Sequence, residues 1–241
     1  MNLIIDIGNT RIKTAVFNKG ELIHNEIFKS ENFLKGVVRI IKKYSCDNAI
    51  ISSVSAVKKN DLFLLKSEIN LIMLSSDTKI PFENNYATPK TLGVDRIALV
   101  SSAVSSYPNK NVLIIDAGTC ITYDFVNQKR SYFGGAISPG ISMRYKALNK
   151  FTQKLPLLEP SNNFKLVGNS TETSIHSGVV FGVINEIDSS IYQYKEKNEE
   201  LMVVLTGGDV NFLANKLKNS IFANPNFLLE GLNSILTYNL Q

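Results

Sequence analysis

Two apolar runs in this chain end alike. The first is Leu3-Ile4-Ile5-Asp6-Ile7-Gly8-Asn9-Thr10; the second, Leu113-Ile114-Ile115-Asp116-Ala117-Gly118-Thr119, follows 110 residues later in a chain of 241. A strand buried on both faces delivers the residue at its C-terminal end to the rim of a sheet. An Asp there points out of the core, and a Gly two positions on lets the chain reverse tightly. Consecutive backbone N–H groups in such a turn, with Thr and Asn side chains beside them, can cradle phosphate oxygens. The carboxylate cannot touch phosphate favourably and needs a cation, direct or through water, as a bridge. A single Asp-x-Gly turn reads first as a tight turn with a solvated Asp. Two at equivalent places in similar halves read as a pair that grips a nucleotide's phosphates, with metal between.

The segments after each run repeat in order. After the strand at 2–6 come the alternating runs "IKTAVF" and "ELIHNEIF", then the helical pattern "NFLKGVVRIIKKY", with apolar residues at 33, 34, 37, 38, 40 and 41. "NAIISSV", a weaker helical stretch and "LIML" follow. The second half runs "VLIID", "CITYDFV" and "SYFGGAI", and ends with the strand "LMVVLTGG". A long helix is expected from Thr171 to about Tyr194, with Asn169 and Glu172 as a capping-box-like start. A strand–strand–strand–helix–strand order met twice predicts a duplicated α/β fold, each half a mixed sheet with flanking helices, and a ligand cleft between halves. The expected division is 1–110 and 111–241, with "RIALVSSAVSSY" and "PNKN" as the linker.

Composition narrows the partners. Hydrophobic residues make up 44%, ample for a folded core, and charged residues 20%. The net charge of +5 is spread along the chain and not gathered into an arm. Nucleic acid is therefore poorly supported, and phosphorylated or carboxylated small molecules suit the balance equally well. No apolar stretch approaches the roughly 18 residues of a membrane span, and no leader pattern precedes the first strand. The two cysteines, Cys46 and Cys120, and the two histidines, His24 and His176, are isolated in sequence. They argue against a disulfide framework or a zinc site and favour the cytoplasm. P-loop and G-x-G-x-x-G patterns are absent from the sequence.

"DIGNTRIK", "DAGTCIT" and the later "TGGD" resemble the phosphate-1, phosphate-2 and adenosine motifs of the actin-like kinase superfamily. "YATPKTLGVDRIA", "GGAISPGI" and "GNSTETSIHSGVVFG" narrow the resemblance to the type III pantothenate kinases, over essentially the whole chain. That resemblance implies duplicated actin-like (ribonuclease H-like) units, each with a mixed five-stranded sheet, and an active site in the cleft between them. It implies ATP-dependent phosphorylation of pantothenate to 4'-phosphopantothenate, the first step toward coenzyme A, by a homodimer with the substrate pocket at its interface. A non-catalytic nucleotide-binding accessory protein of the same fold and a sugar or acetate kinase are the alternatives.

The roles follow residue by residue. Asp6, Ile7, Gly8, Asn9, Thr10, Arg11, Ile12 and Lys13 would form the ATP phosphate loop, with Thr119 touching ATP from the other half. Asp116 matches the family's monovalent-cation ligand, for potassium or ammonium; magnesium would accompany ATP. In Gly93-Val94-Asp95-Arg96, the residues alone allow an Asp that opens a helix and a surface Arg, or a hydroxyl-activating carboxylate beside an anion-binding guanidinium. The resemblance implies that Asp95 is the catalytic base and that Gly93, Val94, Asp95, Arg96 and Tyr86 contact pantothenate. Arg96 suits the substrate's carboxylate, because its planar fork matches that group bidentately. Thr171 matches a further substrate contact; by its position alone it could equally cap a helix. "GGAISPG" reads as a tight loop or as a place of close backbone approach to substrate or cation.

Overall fold

The computed structural model describes residues 1–8, 11–53 and 57–241; Asn9 and Thr10 of the first turn lie outside the described residues. The chain forms two compact units. The first comprises Met1–Pro108, Arg130–Tyr132 and Asn226–Gln241, the second Asn109–Lys129 and Phe133–Pro225. The division is thus not a simple cut at 110, because the C-terminal segment returns to the first unit.

In the first unit, β1 (Asn2–Ile7), β2 (Arg11–Asn18) and β3 (Glu21–Lys29) form an antiparallel meander. Helix α1 (Phe33–Tyr44) then carries the chain to β4 (Asn48–Ser53), and α2 (Lys59–Glu68) to β5 (Asn70–Met73). β4 lies parallel to β1, and β5 parallel to β4, so the sheet order is β3-β2-β1-β4-β5. The reason is visible in α1, whose buried residues Phe33, Val37, Ile40 and Ile41 form one apolar stripe at helical spacing. That stripe packs with Leu3, Ile5, Ala49 and Ile51 of the sheet into one core. A short strand, β6 (Glu83–Asn84), pairs in parallel with Ser131 and Tyr132.

Helix α3 (Val94–Ser106) was expected to link the halves, yet residues 96–104 are all buried. It is a core element of the first unit. Its sequence reads as a helix with no solvent face because α7 (Phe227–Asn239), the last element of the chain, packs against it.

In the second unit β7 (Val112–Ala117), β8 (Cys120–Val126) and β9 (Ser131–Pro139, its first two residues counted with the first unit) precede α4 (Ile141–Lys150) and α5 (Thr171–Lys197). β10 (Met202–Thr206), the one-turn α6 (Val210–Leu213) and β11 (Phe222–Ala223) follow. β8 runs antiparallel to β7, β10 parallel to it, and β11 parallel to β10. The strand order β9-β8-β7-β10-β11 is that of the first sheet. The duplicated mixed α/β architecture is therefore present, but the second sheet has six strands and not the expected five, because β6 adds to the edge of β9. Two local expectations are corrected. The cap of α5 is Ser170 with Thr173, not Asn169 with Glu172, because the Ser170 hydroxyl is the group that meets the Thr173 amide. "GGAISP" is not a loop: β9 runs through it to Pro139. Among the described residues no helix is long and apolar enough to cross a membrane.

Candidate active site

Asp6 sits at the end of β1, opposite Lys13 on β2 and Ser52 on β4. Burial pushes its carboxyl up to about 6. Lys13 works in the lowering direction, Asp95 raises it further, and the Ser52 hydroxyl lowers it. Asp95 therefore lies within electrostatic reach of Asp6, inside one unit. The turn after Asp6 is closed by the Gly8 amide, which donates to the Arg11 carbonyl at 3.0 Å. Arg11 and Lys13 are exposed, whereas Ile7 and Ile12 face each other across the ladder and are buried. Of the residues assigned to the phosphate loop, these two can meet a ligand only through their backbone.

Asp95 opens α3. Its Oδ1 accepts from the Arg96 amide at 2.9 Å, and a methyl group on Gly93 would lie 2.3 Å from that oxygen. Glycine at 93 thus leaves the carboxylate its place. Arg96 is only 5% exposed, and its guanidinium lies over the Tyr86 ring, 5.6 Å from the centroid. Tyr86 in turn stacks on Tyr132, with centroids 6.2 Å apart and planes at 20°. Phe82 meets Tyr132 edge-on at 5.8 Å. Tyr86 thus stands over the buried Arg96 guanidinium, and Asp95 precedes Arg96 in the first turn of α3. Tyr132, which anchors the stack, carries no sequence signal beyond a place in an alternating strand.

In the second unit Asp116 ends β7, opposite Thr122 on β8 and Thr206 on β10. The turn is one residue shorter than its counterpart: Gly118 N donates to Cys120 O at 2.9 Å, and Ala117 pairs with Ile121. Two other segments close on it. Gly140 N donates to the Thr119 carbonyl at 3.1 Å, and a methyl on Gly140 would stand 2.0 Å from the Gly118 carbonyl. Gly207 has φ +97°, and a methyl there would be 2.3 Å from both the Ala117 carbonyl and Asp116 Oδ1. Asp209 N donates to the Ala117 carbonyl at 2.9 Å, and burial raises the Asp209 carboxyl. The words "SPG" and "TGGD", far apart in sequence, thus both close on the "DAGT" turn: Gly140 on Gly118 and Thr119, Gly207 on Ala117 and the Asp116 carboxylate; Thr119 is exposed. Asp209 was not among the expected site residues, though "TGGD" marked its neighbourhood.

Thr171 is the exposed first residue of α5. It borders a groove of about 950 Å³ between α4 and α5, lined by Ala147, Leu148, Phe151, Ile175 and Val179. Among the described residues, no three His, Cys, Asp or Glu side chains cluster as a metal centre would require.

The buried charge on Asp6 gives a pH test. Between about pH 4 and pH 6 the folded protein holds a proton that the unfolded chain has released. Stability therefore falls as pH rises through that window, by about 3 kcal/mol in full. Asp6→Asn removes the effect. Urea unfolding of the two proteins at pH 4 and pH 7.5 should show the variant gaining on the wild type as pH rises; a difference independent of pH contradicts this electrostatic account.

The model of the type III pantothenate kinase family matches residues 2–193. A type III pantothenate kinase of Christiangramia forsetii is 51% identical over 240 residues, 99% of each chain. Among solved structures, a Campylobacter jejuni protein of the Baf family of transcriptional activators aligns with TM-score 0.62 and 23% identity, over 99% of this chain and 98% of its own. A glucokinase from an Antarctic psychrotroph aligns with TM-score 0.57 and 13% identity, over 98% of each. These two likenesses identify the actin-like kinase fold. From the family match, the near-complete coverage of its relative and the motifs gathered at Asp6, Asp95 and Asp116, this chain belongs to the type III pantothenate kinase family.

Proposed function

We propose that the chain transfers the γ-phosphoryl group of ATP to the terminal hydroxyl of pantothenate, opening the route to coenzyme A. The observation that carries this reading is the grouping of Asp6, Lys13, Asp95 and the Arg96–Tyr86 pair in one unit. Phosphoryl transfer asks for alignment and charge neutralisation more than for covalent help. The exposed Lys13 meets phosphate oxygens, with the exposed Arg11 two residues before it on the same strand. Arg96, oriented by Tyr86, takes the acceptor's carboxylate and so points its far hydroxyl at Asp95. Asp95 accepts the hydroxyl proton as the oxygen attacks phosphorus, and ADP leaves. A protein that only binds nucleotide has no use for an acid placed beside an anion site.

Magnesium, arriving with ATP, would neutralise phosphate charge, and Asp6 would hold it directly or through water. The residues fit, since one or two carboxylates plus nucleotide phosphates is the usual donor set for this ion, and a cation there would relieve the buried charge on Asp6. Asp116 fits a monovalent cation. It offers a carboxylate beside the Ala117 carbonyl, at a place that a methyl group at 207 would fill, and hard oxygen donors suit potassium or ammonium. Thr171 contributes a further contact to the acceptor. The exposed apolar groove beside it supports a homodimer in which a second copy covers that face. Free Cys46 and Cys120 and the use of ATP suit the cytoplasm.

Three outcomes test this reading. With ATP and a panel of acceptors, ADP release should require pantothenate, and Asp95→Asn should fold normally but lose about 10²- to 10⁴-fold in turnover. Full activity in that variant removes Asp95 as the base. Activity in sodium buffer should rise on adding potassium or ammonium, and no response refutes the role of Asp116. Light scattering on the purified protein should give twice the 26.8 kDa chain mass; a monomer ends the shared-pocket reading.

A further inference from the structure

Arg144, on the first turns of α4, is absent from every motif above, yet it sits behind the phosphate-2 turn. Its Nε donates to the Pro139 carbonyl at 2.9 Å and its Nη2 to the Ser138 hydroxyl at 3.1 Å. The same Nη2 is paired with Oε2 of Glu186 on α5. Tyr123 on β8 donates its hydroxyl to the other oxygen of Glu186 at 2.9 Å. Burial alone would raise the Glu186 carboxyl; the hydrogen bonds from Arg144, Ser138 and Tyr123 outweigh it and hold that group below the usual range.

These contacts close a ring. Starting from the Thr119 carbonyl, the path runs to Gly140, back one residue to Pro139, across to Arg144 and on to Glu186. It then returns through Tyr123 to β8, the strand that the Gly118–Cys120 turn opens. Gly140 packs against the turn too closely for a side chain, since a methyl there would stand 2.0 Å from the Gly118 carbonyl and 2.6 Å from that of Thr119. Whatever fixes the Ser138–Gly140 corner therefore fixes the turn. The planar guanidinium suits this task, because one fork meets three acceptors at once.

We propose that Arg144, locked by Glu186, is a positioning residue that sets the geometry of the Thr119 turn for ATP phosphates. The inference rests on the kinase reading, and it adds a second layer of support behind the turn, built from α4 and α5. Its effect on the turn passes through Pro139 and Gly140.

The test is calorimetric titration of MgATP into Arg144→Gln, Arg144→Lys and Glu186→Gln, with steady-state kinetics and thermal melts alongside. In Arg144→Gln, Kd for MgATP should rise about 10-fold and kcat/KM for ATP fall about 10- to 100-fold, while KM for pantothenate stays within about twofold. Arg144→Lys keeps the charge opposite Glu186 but loses the fork, and should fall between wild type and Arg144→Gln. Glu186→Gln should shift ATP binding in the same direction, and the double variant should add little, because both changes break one linkage. Should Arg144→Gln fail to fold, Arg144→Lys and Ser138→Ala carry the same readout. A variant that melts lower yet binds MgATP as the wild type does overturns the proposal and leaves the kinase reading standing. Wild-type protein that ignores MgATP overturns the kinase reading, and the proposal with it.

Discussion

A carboxylate at the tip of a buried central strand is the constraint on which this protein turns. β1 and β7 are apolar because both faces of each are covered. Such strands have no place for charge except at their ends. Asp6 is the cleaner case: desolvation raises its carboxyl, and Lys13 on the adjacent strand only partly offsets the effect. A charge held there is poorly solvated and electrostatically unsatisfied, which is the condition under which a cation and a phosphate chain become favourable partners.

The duplication presents that device twice with different neighbours. On the parallel neighbour each Asp faces a hydroxyl, Ser52 or Thr206; on the antiparallel neighbour Asp6 faces Lys13 and Asp116 faces Thr122. Lysine beside Asp6 suits a turn that must meet phosphate. Asp116 stands among hydroxyls, and the carbonyls that Gly207 and Gly140 approach, those of Ala117 and Gly118, belong to its own strand and turn. The two turns also differ by one residue in length, so a common strand pattern carries two distinct loop geometries.

Tightness around Asp116 and order around Arg96 come from different physics. At Asp116, backbone meets backbone at distances only glycine permits, and positive φ at Gly207 adds a conformational requirement. At Arg96, a buried cation is held over Tyr86, itself stacked on the fully buried Tyr132. Stacking of this kind fixes the plane in which the guanidinium lies.

Much of this was legible in the residues. The two strand–Asp-x-Gly turns, the repeated strand order and the apolar stripe of α1 depend on neighbours along the chain, where periodicity and turn chemistry act. Misreadings arose where packing decided. α3 reads as a connector until α7 returns from the far end of the chain to bury it, and "GGAISP" reads as a loop until it runs on as part of β9. Ser170 outcompetes Asn169 for the α5 cap by one residue of geometry. By itself the sequence determined which side chains stand at strand ends and which turns require glycine, because those are local steric facts. Only the tertiary structure decided that Asp95 would press on Asp6, that Gly140 and Gly207 would close on the turn after Asp116, and that Arg144 would join Pro139 to Glu186, because desolvation, Coulomb energy and close contact depend on distance through space.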